Sequence, residues 1–281
     1  VALSLAQRDG APLSVYDPLR DPSSPRHLLL MGELRAAIGN RRIDLHFQPK
    51  VRLPDGAVCG AEALARWVHP ETGYVPPDEF IPLAEKSGLI HPLTLSVLET
   101  AVHKAWGWRE QGFRVPVAVN LSVRNMLDPA IVRKVEAMLI GRAMEADMLV
   151  FEITETALME DPLRALDILG KLSDLGIRLH IDDFGAGYSS LAHLKKLPVT
   201  AVKIDKSFVL DMITNADSAT IVRSTIDLAH SLGLKAVAEG VENGETLERL
   251  AEFGCDEAQG YFIGRPMPEE EMARWLKMRG S

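Results

Sequence analysis

Short apolar, β-rich runs alternate with amphipathic helical stretches along most of this chain, and that alternation limits the fold more than any other feature. The runs lie near 43–51, 56–66, 115–121, 148–154, 177–182, 199–204, 234–239 and 257–263. Helical stretches occupy 91–110, 129–142, 162–175, 217–232 and 243–253. In "IVRSTIDLAHSLG", Ile221, Val222, Ile226, Leu228 and Ala229 recur with helical spacing, and Gly233 supplies a stop. Only Leu53-Pro54-Asp55-Gly56 separates the first two runs, a turn signal that predicts a hairpin. The later runs alternate with helices, which predicts parallel βα units. The fold class is therefore α/β, and the order fits a (β/α)8-type barrel in which the hairpin makes one strand antiparallel. An open doubly wound sheet is the alternative. No G-x-G-x-x-G or Walker-type glycine loop opens a helix, so the nucleotide-fold fingerprints are absent.

At 281 residues the chain has room for one or two domains, and α/β barrels often reach this size as one. Apolar residues make up 47%, enough for a large core, and 25% are charged, which is not a disordered composition. No apolar stretch reaches membrane-spanning length and no signal-peptide pattern opens the chain. Cys59 and Cys255 form no CxxC pair, which argues against a disulfide framework or a thiolate metal site and fits a reducing, cytoplasmic setting. With a net charge of −8 and no Lys/Arg run longer than two, binding to a DNA or RNA duplex is disfavoured. The chain opens on Val1, and residues 1–26 carry the proline-punctuated "DPLRDPSSP". That stretch reads as a linker or the tail of an upstream domain, with the main domain over 27–281.

The chemistry lies where the apolar runs close. They end in Glu62, Leu64 and Arg66; in Asn120; in Glu152 and Glu155; in Asp182 and Asp183; in Lys203 and Asp205; in Glu239 and Glu242; and in Gln259. In a parallel barrel these ends converge on one rim, where active sites lie. The rim would gather Glu62, Asn120, Glu152, Asp182, Asp183 and Glu239. Carboxylates in a partly dry site must be paired or bind metal. With no cysteine pair and no HxH or HxxxH spacing, the hard oxygen set suits Mg²⁺ or Mn²⁺ rather than structural Zn²⁺. Two such cations roughly 3.5–4 Å apart are the arrangement for phosphoester cleavage. Any one of these acids alone is a solvated loop residue or a cap, as Asp161 and Asn243 read; the case rests on several strands ending alike. His46 and His180 read as interior or face residues, and Trp106, Trp108 and Trp275 as packing. Adjacent strand residues point to opposite faces, so Asp182 and Asp183 are expected where the strand has ended. Gly185 and Gly187 would let the chain turn there, with "FGAGYSS" a candidate mobile loop.

The motifs "EALARW" (62–67), "NLS" (120–122), "FEITET" (151–156), "DDFGAGYSS" (182–190), "KIDKSFV" (203–209), "AEGVE" (238–242) and "QGYFIGRP" (259–266) resemble, in order, those of the EAL domain family. These are cyclic di-GMP phosphodiesterases of bacterial signalling, and the resemblance covers about residues 28–278. It implies a TIM-like barrel with one antiparallel strand, hydrolysis of cyclic di-GMP to linear 5′-pGpG, dependence on Mg²⁺ or Mn²⁺ (two per site) and inhibition by Ca²⁺. It implies that Glu62, Asn120, Glu152, Asp182, Asp183 and Glu239 are metal ligands, Asp182 the bridging one. Lys203 would orient or deprotonate the attacking water, and Asp205 and Gln259 resemble further active-site residues. Gln48, Leu64 and Arg66 match positions that contact the dinucleotide; Glu155, and Glu242 with it, match residues that steady the loop after Asp183. Ala186 stands where the family most often has threonine. A homodimer and an upstream sensory or cyclase-like domain are further expectations, and a membrane anchor upstream would place a cytoplasmic domain at a membrane. The alternative is a catalytically weak EAL domain acting as a cyclic di-GMP receptor; such domains usually lose ligands that are all present here. Another Mg²⁺-dependent barrel enzyme acting on sugar phosphates is set aside by the ordered motifs.

Overall fold

The computed structural model describes residues 25–185 and 194–279. Most of the expected linker (1–24) and of the glycine-punctuated loop (186–190) lies outside the described residues. The chain divides into two compact units, one formed by residues up to Asp44 with Ala65–Ser96, the other by Leu45–Leu64 and the chain from Val97 onward.

In the first unit, helix α1 (Pro25–Gly39) packs on helix α2 (Pro77–Ser87). Leu30, Leu34, Phe80 and Ala84 are fully buried. The end of strand β2 (Val58–His69) pairs antiparallel with β3 (Gly73–Val75), setting Trp67 against Val75. Trp67 meets Phe80 edge to face, with 5.9 Å between ring centroids. Helix α2 starts on Pro77, whose fixed φ suits a first turn, and stops at Gly88 with φ 74°.

The second unit holds a closed ring of eight strands. Besides β2 these are β1 (Ile43–Arg52), β4 (Val117–Asn120), β5 (Leu149–Thr154), β6 (Arg178–Phe184), β7 (Ala201–Ile204), β8 (Lys235–Ala238) and β9 (Glu257–Gln259). Their order is β1-β9-β8-β7-β6-β5-β4-β2, and β1 pairs with β2 to close it. That pairing excludes the open sheet. Strand β1 runs antiparallel to β9, with Lys50 opposite Gln259, while β2 and β4 through β9 pair in parallel around the ring. A short strand β10 (Met267–Pro268) pairs with β1 at Phe47. The expected hairpin is present: Arg52 N–H donates to the Ala57 carbonyl and Gly56 takes φ 67°. Parallel strands are covered on both faces, which is why Leu149–Ile153 is buried without alternation.

The connecting helices are α3 (Ile90–Glu110), α4 (Val123–Met126), α5 (Ala130–Gly141), α6 (Glu155–Glu160), α7 (Pro162–Asp174), α8 (Lys206–Asp211), α9 (Ala216–Ser231), α10 (Gly244–Glu252) and α11 (Glu269–Arg279). Helix α7 buries Ala165, Ile168, Leu169 and Leu172, one stripe at helical spacing. Asp161 caps α7 through Arg164 N–H at 3.2 Å, and Asn243 caps α10 through Thr246 N–H at 2.8 Å. No helix among the described residues is long and apolar enough to cross a membrane.

One expectation is corrected. Strand β6 does not end at Asp182; it continues to Phe184. Ile181 pairs with Val202 and Phe184 with Ile204, so Asp182 and Asp183 together oppose the single residue Lys203. This is a bulge, with Asp183 in the left-handed region at φ 52°. The extra residue breaks the strict in-out alternation within the strand itself.

Candidate active site

Side chains on alternate residues of the barrel strands point inward. At the C-terminal ends of the parallel strands this places Glu62 (β2), Asn120 (β4), Glu152 (β5), Asp182 (β6), Lys203 (β7) and Gln259 (β9) around one cluster, joined by Glu239 just beyond β8. The Lys203 ammonium is at its centre, 2.6 Å from Glu239, 2.7 Å from Glu152, 3.0 Å from Asp182 and 3.8 Å from Glu62. Its side chain is 1% exposed. Burial disfavours the ammonium, but Asp182, Glu152, Glu239 and Glu62 outweigh that and raise its pKa well above lysine's ordinary value. Lys203 is therefore a cation here.

Glu152 is fully buried and lies between two lysines: Lys203 donates to Oε2 at 2.7 Å and Lys50, from β1, to Oε1 at 3.0 Å. Burial opposes its charge, yet the two ammonium groups hold the carboxyl well below the usual carboxylate range. Glu62 and Glu239 go the other way. Burial and neighbouring carboxylates, against the pull of Lys203, raise Glu62 and push Glu239 up to about 8. Asp183 rises to about 6 through burial and the charges of Asp182 and Asp205, and it shares a hydrogen bond with Asp205. Asp205 sits low: against partial burial it accepts from Ser207, whose N–H is at 2.8 Å, and it also caps α8.

A polar chain orients Glu62. Asn120 donates to its Oε1 at 2.8 Å and Gln259 to its Oε2 at 2.7 Å. Gln259 also donates to Gln48 at 3.0 Å, and Gln48 donates to the Gly264 carbonyl at 3.1 Å. Behind the bulge, Glu155 Oε2 accepts from Gly185 N–H at 3.3 Å. Gly185 takes φ 99°, which glycine adopts without a Cβ penalty.

These residues open onto a cavity of about 370 Å³, within the range of small-ligand sites. Gln48, Glu62, Leu64, Asp182, Glu239, Glu242 and Gln259 line it, together with Lys206, Gly240 and Tyr261. Arg66, two positions beyond Leu64 on β2, belongs to the first unit, where its guanidinium donates to the Ala65 carbonyl at 3.0 Å. Sequence reasoning passed over Lys50, Lys206 and Tyr261. A lone lysine in a β-run usually marks a solvated face; the signal for Lys50 was its place two residues from Gln48, on the same side of the strand.

Asp182, Asp183 and Glu239 each offer an oxygen, and the three oxygens lie within 4.8 Å of one another. The bulge thus brings adjacent carboxylates to one place. The donors are all hard oxygens, and the buried Gln259 Oε1 and Glu155 Oε1 have no hydrogen-bond partner among the described residues. This set fits a divalent cation of the Mg²⁺ or Mn²⁺ kind.

The EAL domain family model matches residues 31–266. This chain belongs to the EAL family. Over 258 residues the EAL domain is 40% identical to the bifunctional diguanylate cyclase/cyclic di-GMP phosphodiesterase MucR of Pseudomonas aeruginosa, covering 92% of this chain and 38% of MucR. It is 38% identical over 263 residues to the cyclic di-GMP phosphodiesterase PdeR of Escherichia coli, covering 94% of this chain and 40% of PdeR. The chain thus spans well under half the length of these relatives. A solved structure of the PaMucR phosphodiesterase in its c-di-GMP complex superposes with a TM-score of 0.83 at 42% identity, covering 87% of this chain and 99% of that one.

Proposed function

We propose that this EAL domain is a cation-dependent phosphodiesterase that hydrolyses cyclic di-GMP to linear 5′-pGpG. The observation that carries the reading is the convergence on Lys203, within 3.8 Å, of Glu62, Glu152 and Asp182 from three strands and Glu239 just beyond a fourth, with Glu62, Asp182 and Glu239 lining the cavity. The names of the relatives supply the substrate. Asp182, Asp183 and Glu239 also offer hard oxygen donors within 4.8 Å of one another, so a site for added cations is the economical account.

Glu62, Asn120, Glu152, Asp182, Asp183 and Glu239 would hold two Mg²⁺ or Mn²⁺ ions. When bound, such ions supply neutralisation of phosphoryl charge and acidification of water. Ca²⁺, larger and looser in its coordination, would bind without supporting turnover. Water adds to phosphorus, the bond from phosphorus to the 3′ oxygen breaks, and that oxygen leaves with a proton. Lys203 acts in this scheme as a fixed donor that orients the incoming water, since its carboxylate neighbours keep it charged. Gln259 and Asn120 hold Glu62 by its two oxygens. Asp205 braces Asp183 through their hydrogen bond. Gln48 and Leu64 line the cavity as dinucleotide contacts, and Arg66 would add a planar guanidinium for a phosphate or a guanine edge. Glu155 steadies the backbone after the bulge at Gly185, with Glu242 at the rim. A homodimer, a domain spanning 27–281, a cytoplasmic setting and an upstream sensory or cyclase-like domain belong to the same proposal.

The test is a product assay with cyclic di-GMP and a titration of Mg²⁺ or Mn²⁺. Turnover to pGpG is expected, and EDTA or Glu62→Ala should reduce it to background. Nucleotide binding with no product, with both metals supplied, would convert the reading to a receptor.

A further inference from the structure

Lys50 has no part in the family motifs quoted above, yet it is among the most buried charged residues of the barrel, 2% exposed. A buried ammonium persists only when paired. Its partner is Glu152, at 3.0 Å. Burial opposes the charge and Glu152 restores it, so Lys50 stays protonated. On the facing strand, a Cβ at Gly60 would stand 3.4 Å from the Lys50 Cε, in ordinary van der Waals contact. On the neighbouring strand, His180 stands in register with Glu152.

The two lysines on Glu152 differ in what else they touch. Lys203 divides its contacts among Glu152, Asp182, Glu239 and, further off, Glu62. Its contacts lie among the residues assigned above to cations. Lys50 touches only Glu152 among the ion pairs of the described residues, and it does so on the opposite oxygen. We infer that Lys50 is a positioning residue: it pins Oε1 of Glu152 from beneath, so that Oε2 stays aimed at the cation site whatever Lys203 contacts. This inference rests on the cation-binding reading above. Partners of a ligand oxygen commonly change metal affinity by about 10- to 100-fold when removed.

The experiment is calorimetric titration of Mn²⁺ into the folded, nucleotide-free protein, wild type against Lys50→Gln and Lys50→Arg, with thermal unfolding alongside. Lys50→Gln is expected to weaken Mn²⁺ binding at least tenfold and to lower kcat more than KM changes, while Lys50→Arg keeps affinity within about threefold of wild type. A purely structural lysine would lower the unfolding temperature and leave the affinity of the folded protein alone; that result overturns the inference. Wild-type protein that takes up no Mn²⁺ overturns the cation reading and this inference with it. Should Lys50→Gln fail to fold, the pair Glu152→Gln and Glu152→Gln/Lys50→Met decides, because the double variant leaves neither charge of this pair unpartnered. Equal Mn²⁺ affinity in the two means that Lys50 acts through Glu152; a further fivefold loss in the double variant means that it does not.

Discussion

Cation loading should expel a proton from Glu239, and the amount follows from the site. Burial, Asp182, Glu62 and Glu152 hold this carboxyl at about 8 in the cation-free protein, with Lys203 as the opposing influence. At pH 7 roughly ten molecules then carry the acid form for each that carries the carboxylate. A divalent cation takes only the carboxylate, so binding at pH 7 should release about 0.9 proton from this one residue. Apparent affinity should rise nearly tenfold per pH unit below 8 and flatten above it. Asp183, at about 6, adds a second proton only below that pH, and Glu152 adds none because it is already ionised. The assay is calorimetry with Mn²⁺ at fixed pH in buffers of different ionisation enthalpy, where the slope of observed heat gives the protons released. Glu239→Gln should remove about 0.9 proton from the release at pH 7 and bind more weakly. Release below about 0.3 proton at pH 7, or affinity flat between pH 6.5 and 8, would refute the argument. The sign for stability agrees: a carboxyl raised above its unfolded value contributes stability that is full below about 4.5 and is lost as pH climbs through 8. Cation-free protein should therefore unfold at less urea at pH 9 than at pH 6, and Mn²⁺ should narrow the gap.

Gly260→Ala would put a Cβ 2.2 Å from both the N and O of Val241, where neither strand end can yield; a loss of about 3 kcal/mol or more is expected from urea unfolding, with turnover falling because Gln259 is the adjacent residue. Asp183→Val adds a β-branched residue at φ 52°, so it should lower the thermal midpoint as well as Mn²⁺ affinity, whereas Asp183→Asn should lower affinity with little effect on the midpoint.

Much of the barrel was legible because parallel strands buried on both faces announce themselves as continuous apolar runs, and Pro54-Asp55-Gly56 marked the β1–β2 hairpin. The elements that escaped are those whose signals are mixed. Helix α2 begins on Pro77 and contains Pro82, which read as punctuation. Helix α8 is six residues long, too short for a period to show. Strands β3 and β10 exist only through pairing with β2 and β1. At the site, the acids were visible because several different strands end in them alike. The bulge was not, since nothing in "IDDF" distinguishes a strand that ends from one that gains a residue. Lys50 was hidden for a related reason: its meaning comes from Glu152, on another strand, and a one-dimensional pattern holds no trace of that pairing.

The two internal ammonium groups have a consequence for when this protein exists and when it works. A pocket of bare carboxylates would hold the barrel open until metal arrived, as in small domains that fold only around zinc. Here Lys203 and Lys50 already compensate the deepest acids, so the chain can complete its barrel on its own charges. On the proposed cation-dependent reading, metal supply would then govern turnover without governing how much protein survives. A cell short of divalent ions would keep a stock of finished, idle barrels, ready to act as soon as the supply returned.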